Sequence, residues 1–344
     1  MSKTVMQTTR LEIGLPYVVA IPTYKRPVIL LMKTLRTLYR DRIDPKLIYI
    51  FLANQEQLVE YKNLYNDPLA IDKYNIPRGY KAYIQKPVLV VGFKGLRNQR
   101  NFIADYFPPG QCILHMDDDI DSIQELNTQQ QTAITQSTRR RYTLQPIANL
   151  DKFIQVAFEQ CSRIGAHLWG IYPVANPYFM TPQITTGLKF IVGPMYGTIN
   201  RHSQDLRLTT DEKENVERTL QYYTKDNAVI RYNNVTVVTN YFTTPGGMQA
   251  SLSRARSTRK DAALSAANYL HGKYPALTTV FTGKKSGWPE LKLRNLKGQI
   301  WSAANGAEKK TKKLRDYAPR TDISPSDGCA SCHRNKTNIY RHIK

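Results

Sequence analysis

The sequence predicts an α/β protein whose central sheet is mostly parallel and flanked by helices, with a basic C-terminal extension. Three observations carry that reading. Short apolar runs alternate with amphipathic helical stretches through the first 116 residues, the pattern of a parallel sheet with crossover helices. The fourth such run, Cys112 to Met116, ends in Asp117-Asp118-Asp119 with Asp121 two residues on. Lys and Arg number 49 against 27 Asp and Glu, a net charge of +22 on 344 residues.

Tyr17 to Ile21 reads as a first buried strand, broken at Pro22 by the polar turn Thr23-Tyr24-Lys25-Arg26-Pro27. A helix follows, because Ile29, Leu30, Met32, Leu35, Leu38 and Tyr39 recur at helical spacing. Leu47 to Ala53 is a second strand, and Gln55 to Tyr65 a helix stopped near Asn66-Asp67-Pro68. Pro87 to Val91 is a third strand and Gly92 to Gly95 a turn. Leu96 to Tyr106 is a helix ended by Pro108-Pro109-Gly110, and the acidic strand comes next. Asn127 to Arg141, rich in Gln and Thr, reads as a mobile surface loop. Leu150 to Arg163 is a helix, and His167 to Val174 and Gly187 to Val192 are strands. A helix is expected over Asp211 to Tyr223, strands over Ala228 to Arg231 and Val235 to Thr239, and a Gly-Gly turn within Thr244 to Met248.

Hydrophobic residues make up 41% of the chain, which is globular rather than disordered. No apolar run approaches the ~18 residues of a membrane span, and Met1 to Arg10 has no apolar signal core. The expectation is a cytoplasmic protein without a membrane partner; oligomeric state is not readable. The charge excess points to a polyanion, with nucleic acid first. Basic residues concentrate late: Arg254, Arg256, Arg259 and Lys260, then Lys284, Lys285, Lys292, Arg294 and Lys297, then six positive charges against one negative over Lys309 to Arg320. Such residues track phosphates without reading sequence.

The acidic cluster carries the chemistry. Adjacent carboxylates repel, and a cation relieves that repulsion. On an extended strand Asp117 and Asp119 share one side and Asp118 takes the other. Two same-side carboxylates suit Mg²⁺ or Mn²⁺ with coordination positions left for phosphate oxygens. Just upstream, Gly95 opens a helix whose free N–H groups favour an anion, and Arg97 and Arg100 lie three apart on it, able to grip a diphosphate. An acidic surface turn and a solvated basic helix face are the plainer alternatives.

Taken in order, Ile21-Pro22-Thr23-Tyr24-Lys25-Arg26-Pro27, Gly95 to Asn101 (G-x-x-x-x-R-N) and Asp117 to Asp119 (D-x-D) resemble the motifs of nucleotide-sugar glycosyltransferases of the GT-A, Rossmann-like fold. Within that fold the chain is most similar to the viral TET-associated glycosyltransferases, which modify hydroxymethylated pyrimidines of phage DNA. The likeness covers about residues 17 to 250. It implies that Thr23, Tyr24 and Arg26 line a nucleoside pocket, that Arg100 contacts the donor, and that Asp117 faces the ribose or sugar. It makes Asp119 the chief ligand of Mn²⁺ or Mg²⁺, and a UDP-sugar the donor. It also implies a general base at a helix start, here Asp211-Glu212-Lys213-Glu214-Asn215. Asn215 stands where that family often has aspartate, so Asp211, Glu212 and Glu214 are the candidates, Glu214 first. First-turn carboxylates that merely complement the helix dipole are the alternative.

The implied organisation is a nucleotide-sugar-binding half over 1–125, an acceptor half over 126–250, a basic nucleic-acid-binding region over 251–318 and a tail over 319–344. The tail holds Cys329, Cys332 and His333, with His342 beyond. That set could take Zn²⁺, but a reduced, unligated pair is the default. Cys112 and Cys161 read as small core residues. A glycosyltransferase acting on protein or glycan, and a non-enzymatic DNA-binding protein, remain alternative readings.

Overall fold

The computed structural model describes residues 16–77, 79–132, 141–239, 246–247, 256–283, 287–294 and 300–302. The strands are β1 (Tyr17–Thr23), β2 (Ile48–Leu52), β3 (Val88–Val91), β4 (Cys112–Met116), β5 (Ile120–Thr132), β6 (Arg141–Pro146), β7 (Leu168–Ile171), β8 (Gln183–Thr185), β9 (Met195–Ile199), β10 (Ile230–Tyr232), β11 (Val235–Thr239), β12 (Thr278–Phe281), β13 (Glu290–Leu293) and β14 (Ile300–Ser302). Nine of them form one sheet in the order β14-β8-β10-β7-β9-β4-β1-β2-β3. β1 runs parallel to β2 and β4, β2 to β3, and β10 to β7. β9 is antiparallel to both β4 and β7, and β8 to both β10 and β14. All but β8 and β9 therefore point one way, as the sequence predicts.

The chain leaves β1 towards β2 and β3 on one side and returns to place β4 on the other. The order reverses between β1 and β4, and in such sheets the crevice beyond the carboxyl ends of the strands is where ligands bind. Both strands are apolar because both faces are covered. Val19 and Ile21 of β1 and Cys112, Leu114 and Met116 of β4 join the larger core, with Leu30, Leu35 and Leu38. Ala20 and Ile113 turn the other way, onto Ile103 of the Leu96–Tyr106 helix and Phe107 just past its end. The period of two is thus kept to the end of β4 and sets where each aspartate after it is aimed.

Two expectations are corrected. Residues 127–132 and Arg141, read as a mobile loop, belong to β5 and β6. These strands pair antiparallel with Leu126 opposite Leu144 and Asn127 opposite Thr143, while β11 flanks β5 along Ile120 to Glu125. Backbone pairing to strands on hand does not require the apolar alternation that the Gln- and Thr-rich stretch lacks. Gly187 to Val192, read as a strand, is irregular chain between β8 and β9. Its apolar residues are core all the same: Leu188 and Ile191 pack with Leu220 and Tyr223 of the Glu214–Asp226 helix.

The basic C-terminal stretch begins with the helix Arg256–Lys273, whose Ala267 and Leu270 share that second core with Leu168 and Tyr196. Arg254, Lys284, Lys285, Lys297, the run from Lys309 and the Cys329/Cys332 tail lie outside the described residues. No helix among the described residues is long and apolar enough to cross a membrane.

Candidate active site

The helical run 27–40 packs beside the acidic turn and fixes its backbone. Its middle, Leu31–Leu35, is wound as a π-helix, an irregularity frequent at functional sites. Within it, the Thr34 hydroxyl donates to the Asp117 carbonyl (2.7 Å) and accepts from the Ile120 N–H (3.0 Å). Thr37 donates to the Asp121 carbonyl at 3.0 Å, and Lys33 pairs with the Asp121 carboxylate at 3.2 Å. The three aspartates between are held by main-chain anchors at both ends.

Each aspartate then takes a different partner. Asp118 continues the Cys112–Leu114–Met116 face and is buried. It accepts from Thr23 Oγ1 (2.6 Å) and from Arg26 Nη1 (2.9 Å). The Thr23 hydroxyl also meets the Tyr61 hydroxyl at 2.7 Å, and the Arg26 N–H donates to Tyr61. Asp117 continues the Ile113–His115 face and accepts from Arg100 Nη2 at 2.9 Å. Asp119 accepts from Thr239 Oγ1 of β11 at 2.9 Å and lies 3.4 Å from Arg26 Nη1.

Behind Asp117 a stack of rings and guanidinium groups is sealed in the protein. His115 lies flat on Tyr196, centroids 4.5 Å apart, and the Arg218 guanidinium carbon is 3.6 Å from the centre of the Tyr196 ring. Arg100 lies 5.2 Å from that ring and donates towards His115 Nδ1 at 3.5 Å. A guanidinium only donates, so His115 is neutral with its proton on Nε2, which donates to Thr198 Oγ1 at 3.0 Å. Burial, then the Arg100 and Arg218 charges, hold the His115 pKa well below its usual value, consistent with that assignment. Arg218 Nη1 donates to Glu214 Oε2 at 2.7 Å, one helical turn back. The network therefore runs from Asp117 to Glu214 through two arginines and a stacked ring pair.

The remaining candidates fall as follows. The helix expected from Asp211 starts at Glu214, after Lys213 at φ 61. The left-handed Lys213 breaks the helix, leaving Asp211 and Glu212 in the preceding turn. Asp211 pairs with Arg97 and Glu212 with Arg259, both at 3.7 Å. Arg97 also donates to the Thr209 carbonyl at 3.0 Å. Arg97 and Arg100 thus diverge, and only Arg100 reaches the acidic turn. Glu214 is buried, and its Oε1 is the atom nearest a side chain built at Gly193, at 3.6 Å. The Gly193–Pro194 segment adjoins Asp117, whose N–H donates to the Pro194 carbonyl at 2.9 Å. Tyr24 is half-buried, with Lys25 and Lys94 ammonium groups each 5.5 Å from its ring centre. Gly246 and Gly247, at φ +81 and +88, lay backbone over Arg26, and the Gly247 N–H donates to the Tyr24 carbonyl at 2.9 Å.

Sequence reasoning missed Arg218, Tyr196, His115, Thr34 and Thr239. Only Arg218 left a signal, as the i+4 partner of Glu214. Glu217, one turn into the same helix, is fully buried and accepts from Thr209 and Thr210 N–H groups, so it braces the turn before the helix.

Asp117 is held in an unfavourable place for a charge. Burial raises the Asp117 pKa to about 6, opposed by Arg100 and helped by Asp119, Asp118 and Glu214. Its folded value exceeds the ordinary 3.8, so stability that is complete below about 3.8 is lost as pH rises through about 6. Replacing Asp117 by asparagine should therefore raise the melting temperature by roughly 3–5 °C at pH 7.5, with the gain fading towards pH 4. Thermal melts at the two pH values check this, and a lower melting temperature for the variant at pH 7.5 would refute the crowding argument.

The donor set fits a hard divalent ion completed by substrate. Among the described residues, Asp117 keeps one oxygen without a hydrogen bond, and one Asp119 oxygen has only the long Arg26 contact. Among the described residues no three His, Cys, Asp or Glu side chains form a ready metal cage. Mg²⁺-type sites commonly use one or two carboxylates plus phosphate oxygens.

No family model and no curated protein sequence matches the chain. Among solved structures, it is similar to S. aureus TarS 1–349 at a TM-score of 0.39 and 12% identity, over 65% of this chain and 59% of that one. It thus spans somewhat over half of the TarS structure's length. It is similar to UDP-glucose pyrophosphorylase complexed with UDP-glucose at a TM-score of 0.38 and 9% identity, over 65% and 92% of the two chains. The UTP-bound UGPase from Acinetobacter baumannii gives a TM-score of 0.36 and 8% identity, over 63% and 86%.

Proposed function

We propose that this chain is a metal-dependent glycosyltransferase that moves a sugar from a nucleoside-diphosphate sugar, a UDP-sugar by resemblance, to a hydroxymethylated pyrimidine base in DNA. One observation carries the reading: three consecutive carboxylates sharing two guanidinium groups sit at the β1/β4 crevice, beside a buried arginine. That is the surrounding a diphosphate and a divalent ion need together. Asp117 and Asp119 would hold Mn²⁺ or Mg²⁺, which when bound neutralises charge building on the leaving diphosphate. Arg100 fixes Asp117, and its own position is fixed by Asp117 and His115. The Leu96–Tyr106 helix opens at the same edge of the sheet, and its first-turn N–H groups favour phosphate. Tyr24 offers a ring face to a nucleoside.

Glu214 is the leading candidate for the base. Arg218 pins one of its oxygens and leaves Oε1 towards Gly193, next to Asp117. Asp211 and Glu212 are each drawn towards an arginine. The DNA acceptor rests on the net charge of +22 and on the resemblance. The division into a donor half (1–125), an acceptor half (126–250) and a DNA-holding region (251–318) belongs to the same proposal.

Calorimetry with UDP and Mn²⁺, followed by mass spectrometry of nucleosides from hydroxymethylated DNA incubated with a panel of nucleotide sugars, tests the reading. Expected are nucleotide heat that depends on Mn²⁺ and a hexosyl or pentosyl mass increment on one base. Absence of nucleotide heat defeats the enzyme reading. Nucleotide heat without salt-dependent DNA binding defeats the DNA acceptor and leaves protein or glycan in its place.

A further inference from the structure

We propose that Arg26 is a built-in counter-ion of the acidic turn, which keeps a divalent cation out until a diphosphate arrives to share the site. The inference rests on the glycosyltransferase reading and deepens it. It gives Arg26 a different task from the nucleoside contact that the resemblance implies.

The Arg26 side chain is only 12% exposed. Its Nη1 lies 2.9 Å from Asp118 and 3.4 Å from Asp119. On its other side is the Gly246–Gly247 backbone. A β-carbon built at Gly247 would stand 2.7 Å from the guanidinium carbon and 2.9 Å from both terminal nitrogens. The guanidinium is therefore clamped between a glycine backbone and two carboxylates.

The oxygens of the three aspartates are nearly all taken. Asp118 has one oxygen on Thr23 and one on Arg26. Asp119 has one on Thr239 and one near Arg26. Asp117 has one on Arg100. Among the described residues, Asp117 Oδ2 is the oxygen of the triad left without a hydrogen bond. Three carboxylates and two guanidinium groups sum to a charge of −1. A divalent ion arriving alone meets one open oxygen and a guanidinium at close range, so it is held weakly. A diphosphate changes both terms. It supplies its own oxygens to the ion, and it offers Arg26 an anion in exchange for Asp119. That exchange is small, because the contact given up is the 3.4 Å one while the 2.9 Å bond to Asp118 persists. Cation and nucleotide then strengthen each other's binding, and by linkage the coupling is equal in both directions.

Mn²⁺ binding to the full chain, followed by electron paramagnetic resonance with and without UDP, tests this without reference to activity. In the unmodified protein UDP should tighten Mn²⁺ by at least roughly tenfold. In Arg26→Gln, Mn²⁺ alone should bind at least roughly tenfold tighter than to the unmodified protein, and the effect of UDP should shrink. If Arg26→Gln does not fold, Gly247→Ala, which forces the guanidinium from its seat, should shift Mn²⁺ affinity the same way. Unchanged Mn²⁺ affinity in a folded variant overturns the counter-ion role while UDP binding keeps the nucleotide reading standing. Failure of every protein to bind either UDP or Mn²⁺ overturns both.

Discussion

Under the proposed function, alanine in place of Asp119 should lower sugar transfer by roughly 10³-fold or more and leave the melting temperature within about 3 °C of the unmodified protein. The two halves of that expectation have separate causes. Asp119 accepts one hydroxyl from Thr239 and stands at the long end of the Arg26 contact, so little of the fold hangs on it. Its removal also relieves carboxylate crowding, since Asp119 is one of the charges that raise Asp117. Under the proposed function, however, it is the carboxylate that completes the cation site, and charge on a leaving diphosphate then goes uncompensated. Single-turnover transfer assays with thermal melts of the same preparation check both halves. Full activity would remove Asp119 from the chemistry. Collapse of the fold would make it a strut.

How much of this was legible in the sequence follows from what each feature depends on. β4 coincides with the predicted Cys112 to Met116, and the preceding helix with the predicted Leu96 to Tyr106. There an unbroken apolar run and a Pro-Pro-Gly stop are local signals. The partition of Asp117 and Asp118 to opposite faces was also legible, because it only continues the period of β4. The strand β5 was not legible, since its Gln- and Thr-rich half takes its conformation from pairing with β6. Gly187 to Val192 misled for the converse reason: burial needs apolar residues whether or not the chain is extended. The site's long-range bonds were out of reach. Thr239 to Asp119 spans 120 residues and Thr34 to the Asp117 carbonyl 83, and a hydroxyl carries no mark of so distant a partner. The Asp119 side was expected to match Asp117, but the turn after Met116 leads it to β11 and Arg26 instead.

Asp118 should behave in the opposite way to its neighbour. Alanine there destabilises the protein by about 3–5 kcal/mol, the usual consequence of removing one partner from a buried ion pair. Against a total stability of about 5–15 kcal/mol, that is enough to lower soluble yield sharply. The reason lies in what the carboxylate holds. Thr23 has no solvent exposure, and its hydroxyl sits between Asp118 and Tyr61. Arg26 is nearly buried and directs its shorter ion pair to the same carboxylate. Without Asp118, Arg26 loses its shorter ion pair and the Thr23 hydroxyl its carboxylate acceptor in a place water barely reaches, and the end of β1 is no longer tied to the end of β4. Asparagine recovers most of this, since it offers Thr23 an oxygen and, at a site where burial outweighs the pull of Arg26, spares the protein a buried charge. Burial raises the Asp118 pKa against the pull of Arg26 and Thr23, so the carboxylate by itself is a burden, and its worth lies in its partners. A triple replacement, Thr23→Val, Arg26→Met and Asp118→Leu, should therefore melt higher than Asp118→Ala alone, because it leaves no guanidinium stripped of its buried carboxylate and costs only the Tyr61 hydroxyl its Thr23 partner. Chemical denaturation of the three proteins measures this. An Asp118→Ala protein as stable as the unmodified one, yet without Mn²⁺ affinity, would make Asp118 the ligand and Asp119 the bystander.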